Sequence, residues 1–396
     1  MPHSEASSGI RRGIGVACTV MLVPLLASLL LAIPADLTND SLQTAPQAVT
    51  GEAPATSAKL SSAEIPDLQK RADSGDAAAQ FALGKAYESG NGLPRRADQA
   101  AIWYRKAAEQ GNEKAQNSLA VLYWLRDGVE KDKTEAVRWY RKAARQGNAN
   151  AMFNLGAAYY NGEGVREGVS INDTLSYAWF LLSSEAGNSS GQDAAKRSQA
   201  ERGPNGFSEA CLVIGQMYET GGDLPKNLEL AAAWYRKANE HGNREAAIRL
   251  ATMYLIAMDY SQARPWCEAA AKERLPAGYY CLGYLYQHGS GVDPNLKEAF
   301  RWYEQGARAG SVNSMQVLAR MYENGEGTKP DRTQAFVWFL LATQGGSQSA
   351  IAEAKRIRAT MTEKEWKDTQ KKLPRNFDPK KVDSILQGAS LPPPSP

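Results

Sequence analysis

Histidine and cysteine are both scarce here, three and four residues among 396. The histidines, His3, His241 and His288, are scattered, so no local ligand cluster of the kind metal sites use is present. A dominant charge is missing too. The 46 Lys and Arg against 43 Asp and Glu leave a net charge of +3, which gives no basis for a nucleic-acid or strongly acidic partner. No serine is followed three residues later by lysine, so serine acylation of the S-x-x-K kind lacks its motif. One G-x-S-x-G run exists, Gly187 to Gly191, but that elbow needs a strand before it, and the run lies in a polar segment. The glycine pairs Gly162/Gly164, Gly289/Gly291 and Gly325/Gly327 likewise follow no strand, which argues against phosphate loops. No catalytic residue, metal, cofactor or small-molecule substrate is expected.

Long apolar runs are absent with one exception. Arg11-Arg12 precedes 21 uncharged residues, Gly13 to Ile33, and the next Lys or Arg is Lys59. Positive charge on the near side only predicts that the following chain crosses a membrane. Residues 1–35 therefore read as a signal peptide or a transmembrane anchor. The length suits a span of about 20 residues, and Ile33-Pro34-Ala35 offers a cleavage site. Residues 36–60, rich in Ala, Thr, Ser, Pro and Gln, read as a flexible linker.

What the chain has is periodicity. Trp103, Trp139, Trp179, Trp234, Trp266, Trp302 and Trp338 recur at spacings of 36, 40, 55, 32, 36 and 36 residues. Each follows a Leu, a small residue, a Tyr and a turn. In residues 75–110, Ala79, Phe81, Leu83, Gly84, Ala86 and Tyr87 fall at helical spacing and form helix A. Gly90-Asn91-Gly92 stops it, and Ala100, Trp103, Tyr104, Ala107 and Ala108 form helix B. One such pair cannot bury its apolar face alone, so the core is built by stacking. The repeats occupy 75–110, 111–146, 147–186, 206–241, 242–273, 274–309 and 310–345. Together with caps they make a solenoid over 61–373. Ser61 to Ser74 reads as a half-repeat. Residues 347–373 cap the other end, where Thr362 to Glu365 has the capping-box pattern. Residues 374–396 read as a tail.

The pattern A-x-x-x-L-G-x-x-Y, a G-x-G turn, then A-x-x-W-Y-x-x-A-A-x-x-G resembles the Sel-one-like repeat (SLR) family, a branch of the tetratricopeptide-like helical solenoids. The resemblance covers about 75–346. It implies an all-α fold, a right-handed solenoid of about seven antiparallel helix pairs with helical caps. Three stretches depart from it. Repeat 3 has four extra residues near Arg166 to Val169. Repeat 5 is four residues short and lacks the turn glycine between Leu255 and Gln262. A polar insert, 188–205, is either an extra helix or a kink.

The resemblance implies a bacterial, periplasmic or secreted adaptor, or one anchored to the inner membrane by Gly13–Ile33. It would bind a protein or peptide in a concave groove, with regulation of envelope signalling or exopolysaccharide production as a specific role. Its rivals are an enzyme of cell-wall or β-lactam chemistry, as claimed for cysteine-rich relatives, and a structural part of an envelope secretion or export assembly. In those relatives one bridge crosses each repeat turn. By that likeness Cys267 and Cys281 pair, while two buried thiols remain the alternative. Cys211 reads as a buried thiol.

Two surface features bear on partners. Arg105-Lys106, Arg141-Lys142 and Arg236-Lys237 form a broken basic row, which reads as a solvated face. The position after the repeat tyrosine holds Glu88, Trp124, Tyr160, Glu219, Leu255, Gln287 and Glu323. Trp124 and Tyr160 are large aromatics at matching sites of adjacent repeats. With Val121 and Phe153 they are the candidate partner-binding residues, either as one surface or buried in the turn packing.

Overall fold

In a computed structural model of the chain, residues 60–61, 64–164, 172–373, Val382 and Leu386 are described. Every element among them is a helix. They fall into two compact units, one up to Ala246 and one from Ala247 onward.

The first unit holds α1 (Glu64–Asp73), α2 (Ala77–Ser89), α3 (Ala97–Glu109), α4 (Glu113–Leu125), α5 (Lys133–Ala144), α6 (Ala149–Asn161), α7 (Asp173–Glu185), α8 (Ser189–Thr220) and α9 (Leu228–Glu240). Helix α10 (Arg244–Ile256) contains the boundary. Starts and stops follow from the sequence. Asp76, Asn112 and Asn148 each accept backbone N–H groups as N-caps of α2, α4 and α6. Gly90 ends α2 at φ 74°, a left-handed conformation that costs glycine little.

The pairs are antiparallel. Gln80 sits by Gln110, Gly84 by Tyr104, and Glu88 by the Tyr104 hydroxyl, so positions rise along α2 as they fall or hold along α3. The small residue after the leucine has a steric reason. A Cβ on Gly84, Gly156 or Gly215 would lie 2.5–2.6 Å from the ring of Tyr104, Phe180 or Tyr235. The aromatic of helix B lies flat on helix A there. Stacking between pairs is fixed by polar contacts. Gln80 donates to Ala72 O at 3.0 Å and Gln116 to Ala108 O at 3.0 Å.

The insert is a helix and a kink together. Asn188 caps α8 as Asn148 caps α6, so α8 starts like another helix A. It runs to Gly203, whose φ 63°, ψ −165° and following Pro204 break the helical path before it continues to Thr220. The turn after α8 then reaches back to α5. Arg145 donates to the Gly222 carbonyl, and Arg141 pairs with Asp223 at 3.3 Å.

The second unit holds α11 (Tyr260–Lys272), α12 (Pro276–His288), α13 (Leu296–Arg308), α14 (Val312–Asn324), α15 (Arg332–Gln344), α16 (Gln348–Ala359) and α17 (Glu363–Lys372). It is also built of antiparallel neighbours: Gly278 meets Ala270 and Ala271, and Cys281 meets Cys267. Thr362 and Glu365 form the capping box. The cap extends past residue 373. Val382 and Leu386 are buried with Phe336 and Ile357, so part of the stretch read as a tail belongs to the core.

The repeat tryptophans differ between units. Trp103, Trp139, Trp179 and Trp234 are at most 6% exposed, whereas Trp266, Trp302 and Trp338 are half-buried. Among the described residues no helix is long and apolar enough to cross a membrane. Gly13–Ile33 and Arg166 to Val169 lie outside the described residues.

Candidate functional site

The basic row has a structural task. Lys106, Lys142 and Lys237 place their ammonium groups 3.8, 3.7 and 4.0 Å from the ring centres of Trp103, Trp139 and Trp234, three residues back on the same helix. Trp139, only 6% exposed, is thus roofed by an ammonium. The arginine beside two of these lysines reaches the next repeat. Arg105 donates to the Tyr123 hydroxyl, and Arg141 to the Tyr159 hydroxyl at 2.6 Å. Arg and Tyr are 18 residues apart in both, a spacing legible in the sequence once the pairing is known.

A second rule governs the position after the repeat tyrosine. The helix-B tyrosine donates its hydroxyl to the residue there, 16 positions earlier. Tyr104 donates to Glu88 at 2.6 Å, Tyr235 to Glu219, and Tyr303 to Gln287 at 2.8 Å. Repeat 3 has Phe180 at the tyrosine position, which needs no acceptor, and Tyr160 at the acceptor position. Repeat 2 breaks the rule. Its tyrosine, Tyr140, is fully buried, and Trp124 stands where the carboxylate belongs. The rings lie 6.3 Å apart, and the Tyr140 hydroxyl has no hydrogen-bond partner. Burial holds its pKa well above the ordinary tyrosine value.

The four candidate residues therefore separate. Val121 and Phe153 are each 3% exposed, and Phe153 packs on Phe180 at 5.6 Å. These two belong to the core and present no surface. Trp124 is half-buried, with the Lys133 ammonium 5.0 Å from its ring centre. Tyr160 is half-buried. Partial burial, then the nearby carboxylates of Glu201 and Asp173, raise its pKa. Leu125, next to Trp124, is 50% exposed. A hollow of about 610 Å³ lies beside this repeat, lined by Arg105, Tyr123 and the turn residues Val129 to Asp132.

Below the patch the packing is polar. Asn154 donates to Asn117 at 3.3 Å across repeats 2 and 3, both buried. Reading the sequence for aromatics alone missed this pair and the orphan hydroxyl. The signal for the latter was the absence, in repeat 2 alone, of an acceptor 16 residues before the tyrosine.

Cys267 and Cys281 are joined as a disulfide, with Cα atoms 5.7 Å apart. Cys211 is a buried free thiol, and burial pushes its pKa up to about 12. His241 and His288 are exposed beside Phe207 and Tyr284. No cluster of metal-binding side chains occurs among the described residues. Ser189 of the G-x-S-x-G run opens α8 directly after its cap, with helix α7 before it.

A 109-residue stretch is 33% identical to the chitin synthase regulator of Saccharomyces cerevisiae, covering 26% of this chain and 16% of that protein. A 76-residue stretch is 30% identical to the ERAD-associated E3 ubiquitin-protein ligase component of Candida glabrata, covering 19% of this chain and 9% of that one. The chain thus spans less than a fifth of the length of either relative. Among solved structures, a protective antigen of uropathogenic Escherichia coli with an SLR fold is 22% identical, covering 84% of this chain and 91% of that chain at a TM-score of 0.41. The Sel1 repeat model matches residues 77–112, 113–148, 149–188, 208–243, 276–311 and 312–347 and passes over the shortened fifth pair. More than half of the sequence fits that model, on helices that pair and stack as the repeat requires, and the chain belongs to the Sel1 repeat family.

Proposed function

We propose that the chain is a non-catalytic adaptor that holds a protein or peptide through the surface at Trp124 and Tyr160, outside the cytoplasm. The carrying observation is the broken lock of repeat 2. A buried hydroxyl without a partner costs about 1–3 kcal/mol. Trp124 keeps Tyr140 in that state where Glu88 and Glu219 relieve their tyrosines. A local rule broken so that a buried hydroxyl is left unpaired is expected where binding demands it. A half-exposed tryptophan is the side-chain chemistry of interface anchors.

The relatives supply the class. By name, one regulates a chitin synthase and one is a component of a ubiquitin ligase. For this chain the partner is a protein of the cell envelope, and regulation of envelope signalling or exopolysaccharide production is the specific role. Export rests on Arg11-Arg12 ahead of Gly13–Ile33, and the disulfide is in keeping with an oxidising compartment.

Two experiments test the reading. A reporter active only in the periplasm, fused after Gly346, is expected to be active; activity of a cytoplasm-only reporter at that junction refutes export. Affinity capture from envelope extract is expected to yield one stoichiometric protein with the natural chain and none with Trp124→Glu. Covalent labelling by a penicillin would instead establish the enzyme reading.

A further inference from the structure

The fifth helix pair is built from the weakest elements of the array. In six repeats the residue after the helix-B tryptophan is an aromatic ring: Tyr104, Tyr140, Phe180, Tyr235, Tyr303 and Phe339. All six are buried to 2% exposure or less. In repeat 5 that residue is Cys267. Pro265 lies inside α11 and removes one backbone donor from it. Left-handed backbone at non-glycine residues occurs at three described positions, and two of them, Met258 at φ 56° and Arg274 at φ 57°, flank α11. Such conformations are strained outside glycine. Ile256 and Met258, before α11, are 70% and 72% exposed, more than any other large apolar residue described.

One covalent bond compensates. Cys267 of α11 is joined to Cys281 of α12, and the pair sits in a small core with Ala251, Ala271, Leu282 and Leu285. The bridge occupies the place where other repeats have a ring. We propose that the Cys267–Cys281 bridge is a reduction-sensitive joint: with the bond intact α11 is held on α12, and reduction by a dithiol releases α11 while α13 to α16 stay folded. Solenoid contacts are between neighbours, so loss at one pair need not spread through the stack.

The chemistry balances with a dithiol as the named reductant. Both cysteines are buried, at 0% and 4% exposure, so the reductant reaches the bond when α11 opens locally. A reductant thiolate forms a mixed disulfide with Cys281, and the bond to Cys267 breaks. Cys267 leaves with the electron pair as a thiolate and takes a proton. The second thiol of the reductant displaces Cys281 and closes its own cyclic disulfide. The protein gains two electrons and two protons, and the dithiol is oxidised.

Hydrogen exchange read by mass spectrometry on the full chain, oxidised and then reduced with dithiothreitol, tests the joint. Opening a cross-link that closes a loop of about 15 residues is expected to raise local opening on the order of 100-fold. The amides of α11 and the first turns of α12 should lose protection by that factor, and those of α14 to α16 should keep theirs. Unchanged protection of α11 after confirmed reduction overturns the proposal, as does loss of protection throughout the unit together. A second variant guards against misfolding. Ala251→Gly with Cys267→Tyr and Cys281→Ala restores the glycine-and-ring pairing of Gly283 and Tyr303. Its α11 should be protected with or without dithiothreitol. If this variant exchanges like the reduced natural chain, the bridge is not standing in for the ring and the proposal fails.

Discussion

Removing one hydroxyl from Tyr140 and one from Tyr104 should have opposite effects. The residues are equivalent in adjacent repeats and both are 0% exposed. Tyr104 donates to the Glu88 carboxylate at 2.6 Å, a charge-assisted bond. Such bonds contribute about 1.5–3 kcal/mol net, and Glu88 is half-buried, which places this one near the lower end. Tyr104→Phe should therefore cost about 1.5–2 kcal/mol. Tyr140 has no partner for its hydroxyl. Tyr140→Phe removes a group whose desolvation is uncompensated and leaves the ring in place, so it should be neutral or stabilising by about 1 kcal/mol. For units of 150–250 residues each kcal/mol moves the melting temperature by roughly 2–4 °C. Calorimetry should thus show Tyr104→Phe several degrees below the natural chain and Tyr140→Phe level with it or above. Equal losses in the two variants would refute the lock, because the orphan hydroxyl would then be bonded in solution.

Four further outcomes follow from the packing. Trp139→Ala should cost about 3–5 kcal/mol, read by urea titration, with hydrogen exchange confining the effect to neighbouring pairs; an unchanged titration means that the ring is not core. Gly156→Ala puts a Cβ 2.5 Å from the Phe180 ring and should cost about 1–3 kcal/mol, and a neutral result would show that the ring gives way freely. The Cys211 pKa of about 12 leaves on the order of one thiolate in 10⁴ at pH 8, so native chain should resist iodoacetamide at this residue until denatured, and rapid native labelling contradicts its burial. Trp124→Glu gives Tyr140 the acceptor found in repeats 1 and 4 and should melt about 2 kcal/mol more stably than Trp124→Ala, which loses ring packing and gains no bond; equal melts would remove Trp124 from the lock position.

Helix existence and order were legible because each depends on local chemistry. The Asn and Asp caps, the turn glycines and the Leu-Gly-Tyr register act within a few residues, and among the described residues the helices follow one another in the expected order. The small residue after each repeat leucine was visible in the register, and the rings of Tyr104, Phe180 and Tyr235 lie on Gly84, Gly156 and Gly215. What the sequence hid depends on partners distant along the chain. For Val121 and Phe153 surface and core were both open from the sequence, and each is buried at 3% exposure. The roles of Arg105 and Arg141 needed a tyrosine 18 residues on. The continuation of the cap to Val382 and Leu386 lay beyond the last regular repeat, where no period could point to it. The path of 188–205 turned on two adjacent residues, Gly203 and Pro204, which bend a helix that composition alone could equally have ended.

On the proposed function, Trp124 is kept for a partner at the expense of repeat 2. The most direct measurement is partner affinity and melting temperature on one variant, Trp124→Glu, with the protein captured from envelope extract. The expected result is a melting temperature within a few degrees of the natural chain and a loss of affinity of at least tenfold, since an anchoring hot spot contributes about 2 kcal/mol or more. Full affinity in a stably folded Trp124→Glu chain contradicts it.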